Sequence, residues 1–303
     1  MGHSRDYTKI FLSCLSLLFL GPLFYCLFLL IQESYPALSH FGLGFFTHQN
    51  WSPNTLQFAL LPFFFGTLIT SFLSLLLAGP VGIWVALYLE TAAPHVIKRP
   101  LLTFVEVLAA IPSITYGLWG LFYMVPFVQH YLGPVLSKIF FFLPFFQGPN
   151  LGISILSASL VLALMILPTI ASLSREIFKQ TSYDLKNAAL SLGATRWEMC
   201  SLVYLGGNSK GLVAATLLGL GRSLGETMAV SLVIGNSPKI TSSLLSAGAT
   251  MASVIANEYG EADLGLHGAS LTLVGLCLFL VTFGANIFIK GILQSLKKLG
   301  MLQ

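Results

Sequence analysis

Charge is what this chain has least of. Asp, Glu, Lys and Arg together make up 9% of its 303 residues against 55% hydrophobic ones, and its mean hydropathy is +0.84. A soluble chain of this length carries about a quarter charged residues and folds as about two domains. An ordinary solvated surface is therefore excluded, and a polytopic membrane protein is expected. Cysteine is scarce as well. Cys14, Cys26, Cys200 and Cys277 have no CxxC spacing and no neighbouring histidine, which argues against a disulfide framework and a thiolate metal site. A phosphate-binding glycine loop needs GxxxxGK[ST], and no such string is present; the nearest, GGNSKG at 206–211, has the wrong spacing. The chain is not expected to hydrolyse nucleotide itself. HExxH and DxD constellations are missing too, so transport is favoured over membrane-embedded catalysis.

What is present is apolar and long. Six runs can cross a hydrocarbon core of about 30 Å, which takes about 20 helical residues. They are Ile10–Ile31, Phe63–Leu89, Leu101–Val128, Ile153–Leu173, Gly211–Ile234 and Ala269–Ile289. A further stretch, Val135–Phe146, is too short, contains Lys138 and Pro144, and reads as interfacial. The expected fold class is all-α, a polytopic membrane helical bundle with six transmembrane helices. Residues 1–62 form an N-terminal anchor helix and outer loop, and 63–303 the transmembrane domain with a cytoplasmic loop at about 175–210. The first run lacks a small-x-small cleavage site, so it is expected to stay as an anchor.

The net charge of +4 is spread as short basic clusters between apolar runs, which is how membrane orientation is encoded, and nucleic-acid binding has no support. Arg5, Lys9, Lys98, Arg99, Arg175, Lys179, Lys186, Arg196, Lys210, Lys290, Lys297 and Lys298 fall on one side, against Lys138 and Lys239 on the other. Both termini and the central loop are thus expected in the cytoplasm. In the outer loop 33–61, His40 and His48 have no carboxylate beside them, so no metal site is expected there. The outer connection 237–267 ends in Glu258, Glu261 and Asp263. Its stretch SSLLSAGATMASVIANEYG is too polar to span and reads as a helix dipping into the outer leaflet or capping the bundle.

The chemistry gathers between Asp184 and Glu226. Ala188, Leu192, Thr195, Met199 and Leu202 recur at helical spacing around Gly193, which predicts two short helices joined by a turn. Arg222 and Glu226 stand four residues apart near the middle of an otherwise apolar run, where a charge is expensive. They read either as elements of a substrate pathway or as a structural pair on one helix face. Gly221 and Gly225 form a GxxxG spacing whose plainer reading is tight helix packing. In AAIPSITYG, Pro112 should kink the third span and free a carbonyl, with Glu106 either lining a pathway or reaching the headgroups. Lys186, Arg196 and Glu198 read as a solvated face or as contacts to a partner.

The loop NAALSLGATRWEMCSLVYL resembles the cytoplasmic EAA loop of bacterial ABC importer permeases. Ala188, Ala189, Gly193 and Leu205 match that pattern, whereas Asn187 replaces its glutamate and Gly206 its proline. With GLGRSLGETMAVSLVIGN, AAIPSITYG, ILPTIASLS, IANEYGEADLGLH and WSPNTLQFALLPFFFGTL, in order, the chain resembles the PstC-type permeases of phosphate importers. The resemblance implies a MetI-like bundle in the bacterial inner membrane whose EAA loop forms coupling helices seated in a separate ATPase. It also implies a homologous PstA-like second permease, two copies of a PstB-like ATPase and a PstS-like extracytoplasmic phosphate-binding protein, with no cofactor of its own. A permease of this fold for another oxyanion or solute remains an alternative. So does a stand-alone secondary carrier, which predicts more paired charges or inverted repeats.

Overall fold

The computed structural model describes residues 3–263 and 265–296, so Lys297 and Lys298 lie outside the described residues. The described chain is helical, with no strand among the described residues beyond an isolated bridge between Ser52 and Gln57. Helix α1, His3–Phe41, passes through Pro36 and outruns the expected span, so 33–41 extend the helix instead of opening the outer loop. Its end is held by packing: Ala37 is buried and Phe41 lies against Phe45 and Phe58.

Two long helices form the centre, α2 (Leu61–Thr91) and α5 (Ile155–Lys179). The buried stripe of α2 runs Thr67, Thr70, Ser71, Ser74, Ala78, Gly82 and Ala86, small residues at helical spacing that let another helix approach closely. At Gly82 an added Cβ would stand 3.0 Å from the Ile170 side chain. The hydroxyls bond back to their own helix, Thr67 to the Phe63 carbonyl and Thr70 to the Gly66 carbonyl, both at 2.8 Å. Burial therefore leaves these two threonines satisfied, whereas the Ser71 hydroxyl of the same stripe has no partner among the described residues.

The third expected span is not one kinked helix. It consists of α3 (His95–Ala110) and α4 (Ser113–Ile139), bent by 96° at Ile111–Pro112. Ile111 takes the extended backbone forced on a residue before proline, and Pro112 opens the next helix. Helix α4 holds two π-helical turns, Gly120–Met124 and Val128–Leu132, and runs on to Ile139. It absorbs residues 135–139 of the stretch Val135–Phe146, with Gly133 and Pro134 directly after the second π-helical turn, and ends at Ile139.

Downstream come α6 (Tyr183–Ser191), α7 (Arg196–Met199), which continues through the π-helical Cys200–Gly206, and α8 (Ser209–Leu224). The fifth expected span therefore also fails as one helix. Helix α8 stops at Leu224 after 16 residues, and a single turn, Met228–Ser231, follows a break at 225–227. Sixteen residues cover about 24 Å at 1.5 Å each. Among the described residues three helices are individually long and apolar enough to cross a membrane, and the bent pair α3 and α4, counted as one span, brings the number to four.

Of the semi-polar outer stretch only α9 (Met251–Glu258) is helical, ahead of α10 (Leu266–Leu296). The rest lies irregular across the start of α5. Ile155 N–H donates to the Ser246 carbonyl at 3.1 Å, Leu156 N–H to Leu244 at 2.9 Å, and Met251 N–H to the Thr67 hydroxyl at 2.9 Å. Non-helical backbone deep in a bundle is tolerable only when it is paired in this way.

Candidate functional site

The central loop has the predicted helix–turn–helix form. The Ser182 hydroxyl caps α6 by accepting from Leu185 N–H at 3.3 Å. Gly193 sits at φ +89°, in the left-handed region that glycine favours, and nothing lies within 4 Å of where its Cβ would be. Thr195 opens α7 with a reciprocal cap. Glu198 N–H donates to the Thr195 hydroxyl at 3.3 Å, and Thr195 N–H donates to the Glu198 carboxylate at 2.8 Å. The Thr195 N–H foremost, and the Thr195 hydroxyl donating to the same carboxylate at 2.8 Å, hold the Glu198 carboxyl below its ordinary range. Asn187, Ala188 and Gly193 are exposed, as are Leu185, Leu190, Leu192 and Leu202, which leaves apolar surface uncovered. Leu205 stands apart from them, packed inward with Ala86, Leu87, Phe178 and Tyr204. The Lys186 ammonium, half-buried, sits 4.9 Å over the Tyr204 ring.

The structure separates Arg222 and Glu226. Arg222 lies in the last turn of α8, exposed, and its Nη1 donates to Thr169 Oγ1 of α5 at 3.0 Å. Glu226 lies beyond the helix end, where its carboxylate accepts from Ala229 N–H at 3.4 Å. No ion pair joins them among the described residues. A spacing of four means a shared face only while the helix continues, and this one ends between them. The GxxxG reading fails for the same reason. An added Cβ at Gly221 would meet only Asn286 Oδ1, at 3.8 Å, and at Gly225 nothing within 4 Å. The tight approach is at Gly219, 2.9 Å from Ile170, and at Gly211, 3.0 Å from Ile177. Residues 221–225 also spell GxSxG, yet Ser223 is buried inside a helix and donates to the Leu220 carbonyl at 2.9 Å, which is not a nucleophile's position.

At the other break, Pro112 lacks the N–H that would bond Leu108, and the Tyr116 hydroxyl supplies it at 2.9 Å. Glu106 lines a small cavity with Ser172, Arg175 and Glu176, not with Arg222. Glu258, read first as part of an acidic cluster, joins distant segments: Trp51 Nε1 donates to it at 2.9 Å, and His267 Nε2 lies 2.9 Å from the same carboxylate. No periodicity signals such a contact between residues 207 positions apart.

A sequence profile described as binding-protein-dependent transport system inner membrane component matches residues 78–298. The chain belongs to this family. The match takes in the whole central loop, Arg222 and Glu226. The chain is 42% identical over 258 residues to the phosphate transport system permease protein PstC of Mesorhizobium japonicum, covering 84% of this chain and 79% of that one. It is 44% identical over 257 residues to PstC of Pasteurella multocida, covering 84% and 80%. Among solved structures, a chain of the inward-facing MetNI methionine ABC transporter aligns with a TM-score of 0.58 at 18% identity, covering 81% of this chain and 99% of that one. The family fold is thus the MetI-like helical permease bundle.

Proposed function

We propose that this chain is a permease subunit of an ATP-driven phosphate importer in the bacterial inner membrane. Identity of 42% to 44% over 84% of the chain to permeases named for phosphate transport carries this reading. Two permeases, this one and a PstA-like homologue, enclose the pathway, two PstB-like ATPase subunits drive it, and a PstS-like protein delivers the ion. Both termini and the 175–210 loop face the cytoplasm. The uncovered leucines of α6 and the following turn supply an apolar surface for the ATPase, and Gly193 sets the angle between the two docking elements. Arg222 faces the pathway. Thr169 engages one end of its guanidinium, which leaves other N–H donors for a phosphate oxygen pair. Glu226 places a negative charge beyond the helix break, and the passing anion does not have to displace it from Arg222.

The reading is tested by uptake into proteoliposomes holding the four-component transporter, with sulfate and molybdate as competitors. ATP-dependent phosphate uptake that neither competitor suppresses is expected. Uptake of another oxyanion in preference to phosphate would overturn the substrate, and uptake without ATPase would overturn the machine.

A further inference from the structure

The central loop touches the bundle through two contacts of different kinds. One is buried: Tyr204 packs with Ala86, Leu87 and Leu212, its ring edge-on to Phe178 at 5.6 Å between centroids. The other lies in the open. Trp197 of α7 lies flat on Trp84 of α2, with ring centroids 5.5 Å apart and planes inclined by 8°. The two residues remain 61% and 48% exposed, so the stack removes little apolar surface from its surroundings. What it does is join two helices. Trp84 stands on the helix that packs most extensively on α5, with Gly82 pressed against Ile170 one half-turn away. Seventeen residues along the same helix, Thr67 accepts the Met251 N–H of the outer connection, about 26 Å distant at 1.5 Å per residue. An indole pair suits a joint of this kind, since each ring is broad, rigid and held by only two torsions.

We infer that Trp84 and Trp197 are positioning residues, the contact through which displacement of α7 is delivered to α2 and thence to the outer connection. The inference rests on the proposed docking of the 175–210 loop to an ATPase. The competing explanation is that the rings merely cover apolar surface, and the two differ in what a lost ring changes. A covering contact alters how much transporter is assembled. A transmitting contact alters how much phosphate moves for each ATP consumed.

The test is that ratio, measured in proteoliposomes with the complete transporter. Trp84→Leu should lower it by about fivefold, the scale set by the coupling energy of an aromatic pair, while Trp84→Phe stays within about twofold. Trp197→Leu, at the exposed start of α7, should give the same fall and carries the test if Trp84→Leu fails to insert. The double variant should fall no further than either single one. An unchanged ratio, even with uptake and hydrolysis both reduced, would overturn the inference, as would losses that add. Absence of ATP-driven phosphate uptake by the unmodified protein would instead overturn the docking reading on which the inference rests.

Discussion

The Tyr116 hydroxyl donates to the Leu108 carbonyl at 2.9 Å, closing the vacancy that Pro112 opens at the turn between α3 and α4. The chain can therefore bend by 96° there without stranding a backbone acceptor. Helix α4 then settles on glycines. An added Cβ at Gly117 would stand 2.8 Å from Leu232, and one at Gly120 would stand 2.6 Å from Val161. Tyr116→Phe removes only the donor. The Leu108 carbonyl then keeps only the longer bond from Ile111 N–H, at 3.4 Å, so the subunit should lose about 0.5–1.5 kcal/mol, the net contribution of one hydrogen bond, seen as a lower unfolding temperature in detergent. An unchanged temperature would show that the Ile111 N–H alone satisfies that carbonyl and that the tyrosine hydroxyl adds nothing to the bend.

Gly193 gives a second expectation, which the geometry sharpens. Space around it is open, so bulk is not what the position resists; the φ of +89° is. Gly193→Ala should already cost about 1–2 kcal/mol of the loop's turn, and uptake should fall while membrane abundance holds. Gly193→Asn should retain more uptake than Gly193→Ala, since asparagine tolerates the left-handed region. Equal uptake by the alanine variant and the parent would mean that the turn angle does not matter for coupling.

These cases show what was legible in the sequence. The central loop was, because its signals are local: Ala188, Leu192, Met199 and Leu202 at helical spacing with Gly193 between, although the caps at Ser182 and Thr195 went unread. The two broken spans were not. Hydropathy reports how apolar a segment is, and residues 211–234 stay apolar across the break; where the backbone turns is set by tertiary packing at Gly117, Gly120 and Gly219. Pro112 announced a bend, but its angle belongs to those contacts. The Trp51–Glu258–His267 cluster and the Trp84–Trp197 stack join positions far apart in the chain and carry no periodic mark.

The reciprocal cap at Thr195 predicts a pH dependence. Bonding from Thr195 holds the Glu198 pKa below its ordinary 4.5, so the folded loop favours the ionised form. The contribution is fully present above the unfolded value and is lost as the pH falls through the folded one. Helicity of a 182–206 segment in the intact protein, followed by amide exchange, should be flat above about pH 5 and fall below that in the parent but not in Glu198→Gln. A parallel fall in both would place the acid sensitivity elsewhere.

The proposed orientation, with the central loop in the cytoplasm, rests on the uneven distribution of basic residues along the chain. Cysteines placed at Asn50 and Ser242 should be labelled from outside by an impermeant thiol reagent, and one at Ser191 only after permeabilisation. External labelling at 191 would reverse the topology and remove the ATPase from the loop's side.

Arg222 and Glu226 can be told apart because they do not touch. Had they formed a buried pair, neutralising either would leave the other uncompensated, and removing both would restore function. Arg222 instead leans on Thr169, and Glu226 on the Ala229 N–H. Arg222→Gln should therefore abolish or severely reduce phosphate uptake with the subunit stably inserted, because the charge that attracts the ion is gone. Thr169→Val keeps that charge and removes its anchor. A typical exposed hydrogen bond contributes about 0.5–1.5 kcal/mol, so uptake should drop by roughly two- to tenfold rather than vanish. Glu226→Gln keeps an acceptor for Ala229 and should change the anion selectivity or leak more than the amount of transporter. Finally, the Arg222→Gln/Glu226→Gln double variant should stay as inactive as Arg222→Gln alone at matched abundance. Near-normal uptake by that double variant would mean that the two charges matter only to each other, and the assignment of Arg222 to the pathway would fall with it.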